Sequence, residues 1–239
     1  MKKIFVFALL LTGCATPLSQ SPPSGIPASV SQPQVSVGDS WTYQWHDGYT
    51  GFSKGTYRYA LAAVDAQRMT VQVTHDSEPV ATQIFTQDGN WLEKPMANLQ
   101  NFRYSPPYPA LPFPLEAGKT WQAYIQATDP ATGQTQRVRI DGKVLGWERV
   151  KVPAGEFDAL KVRRLVYAGN QGYFRGEENI VEYDWYAPRP GQVVKQVSSS
   201  GYHDKTQGCD DGGCNNWVLN DWNVIELSGF ERVNTQSKP

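Results

Sequence analysis

The sequence predicts an all-β protein, built as one antiparallel, strongly curved sheet (a half-barrel or open barrel) with little helix. Three observations carry this. Short segments alternate apolar and polar residues with a period of two, turn-forming residues separate them, and no stretch beyond the apolar start has a convincing amphipathic helical pattern. The chain has 239 residues, 12% of them aromatic, which is enough for one sizeable β-domain.

The strand signals come in order. Tyr57, Tyr59 and Leu61 alternate with Arg58 and Ala60, and Val71 and Val73 sit between Thr70, Gln72 and Thr74. Val181, Tyr183 and Trp185 alternate with Glu182 and Asp184, and Trp222 and Val224 flank Asn223. Alternation of this kind describes strands with one buried and one wet face. In the third segment it assigns Val181, Tyr183 and Trp185 to the core and Glu178, Glu182 and Asp184 to solvent. Hairpin turns are expected at Asp88-Gly89, at 129–133, at Pro153-Ala154-Gly155 and at Pro188-Arg189-Pro190-Gly191. The segment from Met96 to Arg103 has room for one or two helical turns. The proline-rich run from Pro106 to Pro114 suits neither a central strand nor a helix interior, and reads as an extended arm that closes one end of the barrel. Gly38-Asp39-Ser40-Trp41 matches Gly118-Lys119-Thr120-Trp121. The match reads either as two similar halves or as a common way to begin a strand.

The ends of the chain read differently. Lys2 and Lys3 precede an apolar run from Ile4 to Leu11, too short to span a bilayer and shaped like a secretory signal. The run ends Leu11-Thr12-Gly13-Cys14, which resembles the lipobox of bacterial lipoproteins. That resemblance implies removal of residues 1–13, diacylglycerol and an acyl chain such as palmitate on Cys14, and, with Ala15 following, anchoring to the outer membrane with a domain on the periplasmic side. An ordinary secretory signal with an incidental cysteine is the alternative. Residues 14–33 carry five prolines and five serines and read as a tether, 34–233 as the β-domain, and 234–239 as a disordered tail. The mature chain would hold 20 basic against 23 acidic residues, without the basic stripe that nucleic-acid binding needs.

Four segments together resemble a group of bacterial envelope β-proteins without an agreed activity. They are 37–43 (VGDSWTY), 152–162 (VPAGEFDALKV), 184–188 (DWYAP) and 191–195 (GQVVK). The resemblance implies a curved sheet, similar in outline to lipoprotein carrier and receptor half-barrels, and implies no catalytic residues.

Candidate sites are few. Cys209 and Cys214, an even pair behind a secretory signal, read as a disulfide, with a two-thiol metal site as the weaker choice. Asp204, Asp210, Asp211, Asn215, Asn216 and Asp221 offer calcium-type oxygens but also the ordinary residues of turns. Serine-hydrolase, zinc-protease and nucleotide-binding motifs are missing, and His46, His75 and His203 are scattered. Glu182 and Asp184, two apart on a strand, have the spacing of an inverting glycosidase pair. Trp41, Trp121, Tyr183 and Trp185 are candidates for a ligand groove. The leading expectation is a non-enzymatic, lipid-anchored envelope protein that binds an apolar or amphipathic ligand or a partner protein, with no cofactor and no metal. The alternatives are a glycan hydrolase using Glu182 and Asp184, and a structural or assembly lipoprotein.

Overall fold

A computed structural model describes residues 18–96, 100–170, 175–206 and 216–233. The signal segment, Cys14, Cys209, Asp210, Asp211, Cys214, Asn215 and the tail lie outside the described residues. Among the described residues, twelve antiparallel strands follow one another around a barrel: β1 (Ser40–Asp47), β2 (Ser53–Val64), β3 (Arg68–His75), β4 (Glu78–Thr86), β5 (Trp91–Pro95), β6 (Asn101–Tyr108), β7 (Thr120–Thr128), β8 (Thr135–Val152), β9 (Gly155–Asn170), β10 (Arg175–Ala187), β11 (Gln192–Asp204) and β12 (Trp217–Glu231). The sheet closes completely, because β1 pairs with β12 from Ser40↔Glu231 to Asp47↔Asn223. Full closure leaves no unpaired edge.

All four expected turns join consecutive strands, and Gly89, Gly133, Gly155 and Gly191 adopt the positive φ that such turns favour. No helix forms among the described residues. Residues 101–103 belong to β6 instead, where Asn101, Phe102 and Arg103 pair with Pro95, Lys94 and Glu93. Pro106 and Pro107 also lie within β6, but its ladder with β7 stops at Ser105, so neither proline has to donate across that seam.

The two Gly-x-x-Trp strand starts share one hydrogen-bond pattern. Gly38 N–H donates to Leu61 O and Leu61 N–H to Asp39 O, while Gly118 N–H donates to Val144 O and Val144 N–H to Lys119 O. The indoles that follow reach into the opposite halves, Trp41 Nε1 to Pro190 O at 3.3 Å and Trp121 Nε1 to Pro109 O at 3.1 Å.

One end of the barrel is covered from inside the chain. The arm after β6 buries Leu111 and Leu115 against Val144, Trp147, Leu160, Val162 and Tyr186. Residues that composition marks as a tether dock on the same end. Ser19 exchanges two backbone hydrogen bonds with Trp147, Val30 exchanges two with Leu115, and Val30 is buried. Burying Val30 and Ile26 offsets the entropy of ordering a segment that looks too polar to fold alone.

Gly146 makes this docking possible. It sits at φ 144° at a bulge in β8, and a Cβ there would lie 2.7 Å from Ser19 O. Gly146→Ala is expected to lift residues 19–33 off the barrel. Limited proteolysis should cut this segment several-fold faster than in the wild type, with the barrel's circular dichroism unchanged.

Candidate functional site

The interior of the barrel is chemically two-sided. Strands β1–β4 and the arm line it mainly with apolar and aromatic side chains, whereas β9–β12 contribute buried Arg164, Glu178, Glu182, Asp184, Ser198, Ser200 and Asn223. The sequence expectation is therefore inverted for Glu178, Glu182 and Asp184, whereas Trp185 is buried as expected. Glu178, Glu182 and Asp184 are 1–3% exposed and turn inward. Tyr183 and Trp185 take the opposite face, where Trp185 donates to Glu148 Oε2 at 3.1 Å and lies under Lys161 and Lys195 at 4.6 and 5.9 Å. The lysine stems cover the ring while their ammonium groups stay in contact with water. In β12, likewise, Asn223 is buried and Trp222 is exposed.

Arg164 is what allows the carboxylates to be inside. It lies directly opposite Glu182 in the β9–β10 ladder. Its Nε donates to Glu182 Oε2 at 2.8 Å, its Nη1 donates to Ala110 O at 2.9 Å, and its Nη2 rests 2.7 Å from Asp184 Oδ2 as a close ion pair without an in-line hydrogen bond. Tyr108 Oη donates to Glu182 Oε2 at 2.9 Å, and Gln196 Nε2 to Asp184 Oδ1 at 2.8 Å. Burial by itself would lower the guanidinium's pKa, but Asp184, Glu182 and Tyr108 outweigh it and hold it well above the ordinary value. Burial, with Glu182 adding to it, pushes the Tyr108 phenol up.

Two cavities flank this cluster. An apolar one of about 180 Å³ reaches from Leu111 and Phe113 of the arm, past Leu61, Val71 and Phe85, to the β4–β5 turn at Asp88-Gly89. A more polar one of about 260 Å³ lies toward Trp45, Tyr57, Glu182 and Asn223. Tyr59, Gln83, Trp91, Lys94, Gln196 and Ile225 line both. Lys94 is half-buried, and its side chain lines both cavities. Its ammonium lies 4.1 Å from the centre of the Trp91 ring. Burial drives its pKa down to about 8, Asp184 and Glu182 partly restoring it and Arg164 lowering it further.

The other expected site residues fall as follows. Trp41 lines the apolar cavity. Trp121 stacks over Gly142, where a Cβ would lie 2.0 Å from the indole. Asp204 Oδ1 accepts from Thr206 N–H and Oγ1–H, which hold its carboxyl below the usual range, and Asn216 donates to Asp204 O. No cluster of metal-binding type occurs among the described residues. His75 stacks on Tyr57 and His203 packs against Trp217, far apart in the ladder. Sequence reasoning missed Arg164 and Lys94. A signal existed for Arg164, in phase with Leu160, Val162 and Val166 along β9. Trp91-Leu92-Glu93-Lys94 has no alternation that would assign Lys94 to a face.

The fold is similar to those of three bacterial proteins of known structure. A candidate lipoprotein from Parabacteroides distasonis is 17% identical at a TM-score of 0.50, with 86% of this chain and all of that one covered. A candidate exported protein with a YmcC-like fold from Bacteroides fragilis is 14% identical at 0.47, covering 85% and 100%, and the hypothetical lipoprotein YmcC from Escherichia coli K12 is 12% identical at 0.44, covering 82% and 86%. At such identity the first of these likenesses concerns the fold alone. No protein-family model and no curated protein matches the sequence.

Arg164→Met is expected to cost about 3–5 kcal/mol in urea unfolding, because it strands two buried carboxylates. Lys94 has the opposite sign. Its folded pKa of about 8 lies below that of an unfolded lysine, so the unfolded chain binds more protons between pH 8 and about 10.4. Stability should therefore rise with pH across that window, and the rise should vanish in Lys94→Met, as read from unfolding midpoints.

Proposed function

We propose that this is a lipid-anchored protein of the bacterial envelope whose barrel interior binds a small apolar or amphipathic ligand without covalent chemistry. The observation that carries the reading is the apolar cavity beside Trp41, Tyr59, Leu61, Val71 and Phe85. Its volume of about 180 Å³ compares with the roughly 150 Å³ of an apolar cavity that takes up benzene. Location rests on the signal-like start and Cys14, and on the Parabacteroides protein of similar fold, itself described as a lipoprotein. The proposed arrangement is an acylated Cys14, a short linker up to the docked segment at Ser19, the barrel, and a Cys209–Cys214 disulfide in the β11–β12 connection.

A hydrolase built on Glu182 and Asp184 suits the geometry less well. Both carboxylates are held by Arg164, and Tyr108 donates to Glu182 and Gln196 to Asp184, so neither is free to meet a glycosidic oxygen. Trp41 is the groove candidate that fits the ligand reading. Tyr183 and Trp185 line neither cavity.

Val71→Trp fills the cavity at a packing cost of about 1–3 kcal/mol. An environment-sensitive apolar fluorophore should bind the wild type and lose at least about tenfold in affinity for the variant, with the β-sheet circular dichroism retained. A fluorophore that ignores the substitution, or binds neither protein, overturns the reading.

A further inference from the structure

We propose that the waist between the two cavities is a carboxylate-binding site, in which Lys94 and Gln83 hold the head group of a short-chain amphiphile whose tail lies in the apolar cavity. The proposal rests on the interior being a ligand site and adds the chemistry of the ligand.

Two polar groups without a hydrogen-bond partner line both cavities. Among the described residues the Lys94 ammonium has no hydrogen bond and no ion pair, only the face of Trp91. Gln83 is 95% buried, and its side-chain oxygen has no partner. Both line both cavities. A half-turn of the Gln83 amide presents its N–H to the same space. Buried polar groups are normally paired, and an ammonium drawn partly out of water gains from a contact anion. Asp184 and Glu182 do not fill that role, since Arg164, Tyr108 and Gln196 hold them. A carboxylate accepts from an ammonium and an amide together, with stronger bonds than a neutral oxygen makes. The size of the apolar cavity suits a tail of roughly six to eight carbons.

Asp88 also lines the apolar cavity, and among the described residues three charged groups act on Lys94. Asp184 and Glu182 face it from β10 and Arg164 from β9, with Tyr59 on β2 and Tyr104 and Tyr108 on β6. The phenols do not titrate with it, because burial pushes Tyr59 to about 12 and the other two well above the ordinary value. Ligand carboxylate and lysine proton therefore bind together, and affinity falls as Lys94 loses its proton above about pH 8.

The test titrates the full-length chain with octanoate and with octan-1-ol by calorimetry at about pH 7 and about pH 9.5. Octanoate should bind about tenfold tighter than octan-1-ol at the lower pH and lose about tenfold at the higher, while octan-1-ol is unaffected. Lys94→Met should bring octanoate down to the alcohol's affinity and leave the alcohol unchanged. The wild-type pH comparison stands even if that variant does not fold. Octanoate that binds no tighter than the alcohol, or that ignores pH or Lys94→Met, overturns the carboxylate site and leaves the ligand-binding interior standing. Binding of neither compound overturns both.

Discussion

The barrel depends on one buried cation placed between two buried anions. Arg164 reaches Glu182 and Asp184 on the neighbouring strand and Ala110 O on the arm, so one guanidinium ties β9, β10 and the segment that covers the barrel end. Tyr108 and Gln196 extend the set to β6 and β11. Such an ion triad offers little net stability over an apolar replacement, because desolvating three charges consumes most of what their attraction returns. Its physical consequence is register. A one-residue slip of β10 would turn both carboxylates outward and leave Arg164 buried alone, a much less stable arrangement. The charges specify which face of β10 looks inward, although apolar count alone favours the other.

That choice shapes the interior. With β9–β12 supplying charge and amides, and β1–β4 with the arm supplying rings and aliphatic groups, the space between them is amphipathic. A solid aromatic core would need apolar partners on both sides. Here the apolar wall faces a polar one, and the two meet imperfectly, leaving cavities on either side of Lys94 and Gln83. Lys94 belongs to neither wall. It comes from β5, a five-residue strand between longer neighbours, and reaches the waist across the face of Trp91.

Much of the architecture was legible from residues. The glycine turns at 89, 133, 155 and 191 fall between strands because only turns there relieve two adjoining alternating runs. The Gly-x-x-Trp pair marked equivalent strand starts, and the same hydrogen bonds recur at Gly38 and Gly118. Where local reasoning failed, the cause was a partner distant in sequence. The stretch before the barrel looked like a tether, since its own apolar content is small, yet Leu115 and Trp147 supply the backbone and packing partners that hold it. Residues 101–103 looked helical in isolation and became a strand because β5 offers all three a ladder partner and β7 offers one to Arg103.

The sequence by itself determined that the chain makes antiparallel strands joined by tight turns. These follow from period, composition and turn chemistry, which act within a few residues. Only the tertiary structure decided that Glu182 and Asp184 of β10 and Asn223 of β12 turn inside. A period of two is symmetric between faces, and the symmetry is broken by cross-strand neighbours: Arg164 for Glu182, Lys161 and Lys195 for Trp185, and Lys54 and Trp45 for Asn223. Closure of the sheet was decided at the same level, because pairing of β1 with β12 depends on the accumulated curvature of all twelve strands.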